Sequence, residues 1–139
     1  MAFTLHSAWN TLQTKVLEKD SATVLTAFDF CALDANGLAV VASATDTALA
    51  YVMVDAPAGT TEVVVLSDYS QAFFTGTADQ VFATTNRNTE VDLVINSGVQ
   101  EVDLWASTTD VFKVLGSVDA GTVGSDLNVK FKLNKPICL

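Results

Sequence analysis

Along most of the chain, apolar and polar positions alternate with a period of two. In residues 127–134, Leu127, Val129, Phe131 and Leu133 fall on one side, with Asn128, Lys130, Lys132 and Asn134 on the other. Successive side chains of a strand point to opposite faces, so this pattern predicts a half-buried strand. Residues 90–95 repeat it, with Val91, Leu93 and Ile95 set against Glu90 and Asp92. In residues 23–30, Val24, Thr26, Phe28 and Phe30 share a face opposite Leu25, Ala27 and Asp29. Further strands are predicted over residues 38–43, 62–66, 80–84, 99–105 and 111–115.

Residues 48–54 form an unbroken apolar run, whose period does not separate strand from helix. The run is short, contains Tyr51, Val52 and Val54, and is followed by Pro57 and Gly59. Those features favour a buried strand over residues 49–55. Residues 34–37 read as a turn, because Asn36–Gly37 supplies the left-handed backbone that tight turns require. Short strands separated by turns about every 8–12 residues predict an all-β fold, a single small β-barrel or β-sandwich.

The N-terminal end has a different period. Leu5, Trp9, Leu12 and Val16 fall at helical spacing, and Ser7 could cap such a helix. Phe3, Thr4, Thr11 and Thr14 equally permit an extended arm. The expected organisation is an arm or short helix over residues 1–21 and a β domain over residues 22–139.

Composition narrows the class. A chain of 139 residues suits one domain, and half of them apolar with 17% charged implies a packed core. No apolar stretch approaches the ~20 residues that span a bilayer, and the opening residues lack the cationic and long apolar regions of a secretory signal. A soluble protein made in the cytoplasm is the simplest expectation. The formal charge of −9 disfavours nucleic acid as a partner. Lys130, Lys132 and Lys135 are a local exception. They read as a solvated strand face that discourages edge pairing or as a docking point for an acidic partner.

Candidate chemistry is sparse. His6 is the single histidine, Cys31 and Cys138 are expected to be reduced thiols, and the set is too small for a zinc site. No nucleophile elbow, metalloprotease helix or complete phosphate loop occurs, and residues 121–126 read as a flexible glycine turn. Asp92 and Asp103 could meet across neighbouring strands. Solvated outer-face acids are the expected reading, ahead of a calcium site or acid–base catalysis. Trp105 is expected in the core or at a rim contact, and Trp9 either anchors a partner or packs back on the sheet.

Residues 40–66 resemble the central part of the head-decoration (cement) proteins of tailed bacteriophages. The likeness is carried by Val40–Ala44, Asp46, Ala50–Val54, Asp55, Ala56, Gly59 and Val63–Leu66. Residues 115–131 are similar to the small-residue closing strands of that family. The resemblance implies a tulip-like β domain that associates as a homotrimer on the outside of the capsid. It also implies a mechanical function, cementing neighbouring major capsid subunits so that the expanded head resists the pressure of its DNA. The implied location is the virion exterior after assembly in the host cytoplasm. The N-terminal segment often ties such proteins to the capsid, which points here to Phe3, Leu5 and Trp9. The partners so implied are the major capsid protein and further copies of the chain. No catalytic residue, cofactor, metal, membrane or direct nucleic-acid contact is expected. The alternatives are a carbohydrate- or receptor-binding β-sandwich, with Trp105, Tyr51 and Tyr69 stacking sugars, or another virion part such as a tail-tube or head-fibre protein.

Overall fold

The computed structural model describes residues 2–7, 13–118 and 127–138. The described residues are all-β, as the alternation predicts. The strands are β1 (Phe3–Ser7), β2 (Thr14–Glu18), β3 (Phe30–Leu33), β4 (Ala39–Val41), β5 (Ala50–Tyr51) and β6 (Glu62–Leu66). They continue as β7 (Ala72–Thr77), β8 (Glu90–Asn96), β9 (Val99–Asp103), β10 (Phe112–Ser117) and β11 (Asn128–Leu133). A 3-10 turn, Thr84–Asn86, lies between β7 and β8.

Six strands form one antiparallel sheet in the order β1-β7-β11-β10-β8-β9. A bridge from Ala78, just past β7, to Val102 in β9 shows that this sheet curls back on itself. Its concave face carries Phe74, Phe112 and Phe131, and Phe30 from β3 inserts among them. Ring centroids of Phe30 lie 5.2 Å from Phe3, Phe74 and Phe112 alike. Each buried phenylalanine contributes roughly 1.5–3 kcal/mol of burial. These rings are the main core.

The other five strands form a small ring. β4, β3 and β5 make one sheet, and β2 and β6 make a pair. A Val52–Val65 bridge joins β5 to β6, and a Lys19–Ala39 bridge joins the end of β2 to β4. The ring closes round a second core of Leu25, Cys31, Ala39, Val52 and Val65. Lys19 is buried at that closure, where its ammonium donates to the carbonyls of Asp20 and Thr23. A buried cation needs such partners, since leaving it unpaired would be costly.

Several sequence expectations change. Residues 3–7 and 14–18 are strands, the extended of the two alternatives rather than the helix, with β1 paired to β7 in the main sheet and β2 paired to β6. Long-range pairing with β7 and β6 overrides the helical spacing; Trp9 and Leu12, on which that reading also relied, lie outside the described residues. Residues 23–29 hold only a bridge at Leu25, because Phe28 turns the chain with φ +73°. Residues 80–84 are not a strand; the Asn86 side chain accepts from the Ala83 N–H and holds a turn there. β7, unrecognised in the sequence, takes the place beside β1. Gly76 in it breaks the alternation because Phe3 lies over it: a Cβ on Gly76 would stand 2.3 Å from Phe3 Cδ1.

Candidate docking groove

A concavity of about 460 Å³ runs beside β1 and is lined by Ala2, Phe3, Thr4, Leu5, Phe28, Tyr51 and Met53. β1 is an edge strand of the main sheet, so its outward backbone groups need partners from elsewhere. Tyr51, on β5, supplies them. Its hydroxyl donates to the Phe3 carbonyl at 2.7 Å and accepts from the Leu5 N–H. Burial pushes the Tyr51 phenol up, well above its ordinary range, against the lowering effect of that Leu5 N–H; nearby Asp29 also raises it. The phenol stays neutral and acts as a clip.

Phe28 forms the opposite wall. Left-handed backbone is rare for a bulky residue and costs on the order of 1 kcal/mol. Three contacts hold the surrounding turn. The Phe28 N–H donates to Val52 at 2.8 Å, its carbonyl accepts from the Phe3 N–H at 3.0 Å, and the Ala27 N–H donates to Asp55 at 2.7 Å. The result is an aromatic ring left 38% exposed at the groove mouth, near-parallel to Tyr51. Such a mainly apolar cleft suits an apolar side chain.

The three anchors expected in the sequence have different positions. Phe3 is 2% exposed, so it is groove floor and core and does not reach outward into a partner. Leu5 is half-buried on the groove wall. Trp9 lies outside the described residues. Phe28, Tyr51 and Met53 were not singled out as groove residues in the sequence. The only local signal was an aromatic before Asp29, whose carboxylate accepts the Ala2 N–H at 2.7 Å.

The other candidates are structural in their surroundings. His6 stacks on Phe73, centroids 4.7 Å apart, and its Nε2 meets the Thr75 hydroxyl at 3.1 Å. Asp92 and Asp103 do oppose each other across β8 and β9. Asp92, however, is buried rather than on a solvated face. The loop after β9 folds over it and aims the N–H groups of Thr108, Thr109 and Asp110 at its carboxylate at 2.8–3.0 Å. Burial pushes its pKa up, but those three donors outweigh it and hold the carboxyl below its ordinary range. Asp103 goes the other way, raised by burial and by the neighbouring Asp79 carboxylate. Among the described residues, no group of three or more His, Cys, Asp or Glu could hold a metal ion.

Of the residues considered for stacking a sugar, Tyr51 is fully buried and unavailable. The Tyr69 hydroxyl accepts from the Tyr51 N–H at 2.8 Å. Trp105 is 57% exposed rather than in the core. Cys31 is buried and Cys138 exposed, both as free thiols. Lys135 leaves the lysine cluster and donates to the Thr109 carbonyl at 2.8 Å.

No protein-family model, no curated protein and no solved structure matches the chain.

Proposed function

We propose that this protein is a virion structural protein that attaches to the outside of a phage capsid and cements neighbouring major capsid subunits, as a homotrimer. The reading rests on the resemblance of residues 40–66 to head-decoration proteins. The observation that supports it best is the apolar groove on the N-terminal edge strand, where Leu5 and Phe28 offer a seat for a side chain of the shell. A cementing protein needs rigidity and shape complementarity rather than a reactive centre. Several copies held together turn a modest single contact into firm attachment, through raised effective concentration.

The test is co-sedimentation of the purified protein with expanded, undecorated heads. Saturable retention at a stoichiometry matching the shell's symmetry supports the reading, and absence of saturable retention removes it. A second reading, a carbohydrate-binding module, is favoured by exposed Trp105 with the Asp79 and Asp103 carboxylates nearby. A reproducible hit on a glycan array, lost in Trp105→Ala, would replace the first reading with this one.

A further inference from the structure

Two like-charge pairs stand directly opposite each other in the strand ladders, one basic and one acidic. On the outer face of the main sheet, Lys113 of β10 opposes Lys132 of β11. Lys130 lies two residues along the same face of β11, opposite Thr75 of β7. Glu90 flanks Lys113 from the far side, so the face carries three lysines and one carboxylate. On the outer face of the small ring, Glu18 of β2 opposes Glu62 of β6, next to the opposed pair Val16 and Val64.

Side chains directly opposite in a ladder sit ~5 Å apart, and like charges there are destabilising. Each pair therefore costs the isolated chain stability. Basic side chains gather on β10, β11 and the residues after them: residues 111–118 and 127–138 hold four lysines and no acidic side chain, whereas residues 13–70 hold eight carboxylates against Lys15 and Lys19, and residues 71–110 hold six more against Arg87. Of those two lysines, Lys19 is buried on backbone carbonyls and neutralises nothing at the surface.

We propose that a second copy of this chain docks head to tail, its Glu18–Glu62 face against the Lys113–Lys132 face of the first. The two faces are complementary in charge. Each also offers apolar surface to a contact centre: Val16, 56% exposed, with half-buried Val64 on one face, and half-buried Phe73 on the other. Docking replaces two repulsive pairs by attractions between them. Because the two surfaces differ, each copy keeps one of each kind free, and the series closes into a ring where the rotation between copies allows it. The proposal rests on the self-association part of the function above and not on attachment to a shell.

The experiment is sedimentation equilibrium of the free full-length protein and its charge variants. Glu62→Lys or Lys132→Glu alone should weaken association at least about tenfold, through like-charge contact between faces. Each should also raise the melting temperature of the monomer, because a repulsive ladder pair becomes an attractive one. That rise separates a lost interface from a damaged fold. Reversing all four residues in one chain (Glu18→Lys, Glu62→Lys, Lys113→Glu, Lys132→Glu) should restore the wild-type assembly. A wild-type protein that stays monomeric at every concentration overturns both the self-association reading and this proposal. Association that survives the single reversals, or that the fourfold reversal fails to restore, overturns the proposed faces while leaving self-association standing.

Discussion

The side-chain amide of Gln100 pairs with both backbone groups of Phe30. Its Oε1 accepts from the Phe30 N–H at 2.8 Å, and its Nε2 donates to the Phe30 carbonyl at 2.9 Å. A side chain on β9 thus does for β3 what a neighbouring strand would do, and joins the small ring to the main sheet at the centre of the core. Gln100 is 3% exposed, so no water replaces it on truncation.

Gln100→Leu is expected to destabilise the protein by about 1–3 kcal/mol, since it leaves the buried Phe30 N–H unpaired and the Phe30 carbonyl with only the long 3.4 Å bond from the Ala42 N–H. Urea unfolding of the variant checks this. A loss under 0.5 kcal/mol would mean that the two layers do not depend on the amide (about the size of an ordinary surface substitution).

Gly76 and Phe3 are expected to be coupled. Gly76→Ala places a methyl where Phe3 Cδ1 stands, and overpacking of this kind costs about 1–3 kcal/mol. Phe3→Leu costs core volume on its own, but combined with Gly76→Ala it should cost less than the sum of the two. A double-mutant cycle in denaturant measures the coupling, and strict additivity would refute it.

Asp92 and Asp103 should shift the pH dependence of stability in opposite directions. The Asp92 carboxyl is depressed below its ordinary value of 3.8, so its stabilisation is present above that pH and lost as pH falls through the depressed value. Asp92→Ala should therefore be least stable relative to wild type at neutral pH, with the gap closing in acid. The Asp103 carboxyl is raised, so the cost of ionising it in the folded state builds as pH rises from its ordinary value of 3.8 and is complete above the raised value. Asp103→Asn should melt a few degrees higher than wild type at pH 7, and the gain should fade below pH 4. Thermal melts from about pH 3 to pH 8 read both.

Phe28→Gly is expected to remove the groove wall without unfolding the chain. Glycine adopts φ +73° freely, which offsets the lost contact with Tyr51, so stability should change by less than about 1 kcal/mol. Retention on undecorated heads should drop. Unchanged retention would dissociate the groove from attachment.

The two cysteines should react very differently with a thiol reagent. Burial pushes the Cys31 thiol up to about 12, whereas Cys138 is exposed. Native protein should show one fast-labelling thiol, assigned to Cys138 by mass spectrometry, with Cys31 labelled only in denaturant. Fast native labelling of Cys31 would contradict a closed second core.

Some of this was legible in the residues. β6 and β11 fall where the alternation places them, because one face of each is buried and the other is wet. The pairing of Asp92 with Asp103 was also readable, since two neighbouring strands share a short turn at Ser97–Gly98. β7 was not. Phe73 and Phe74 are adjacent aromatics on opposite faces, one under His6 and one in the core, and Gly76 looks like a turn until Phe3 is placed over it. The groove was half-legible: Leu5 was pointed to by the resemblance to decoration proteins, while Phe28 depends on a backbone conformation that no local pattern announces.

The sequence by itself determined that the chain is all-β and that most strand faces have a fixed inside and outside. Those properties follow from side-chain period and residue type, which act between near neighbours. Only the tertiary structure decided that the N-terminal strand closes the edge of the main sheet, that a buried carboxylate gathers a loop, and that basic and acidic pairs stand on separate faces. Each of these depends on contacts between residues dozens of positions apart, whose energies exceed the weak local preferences that a sequence displays.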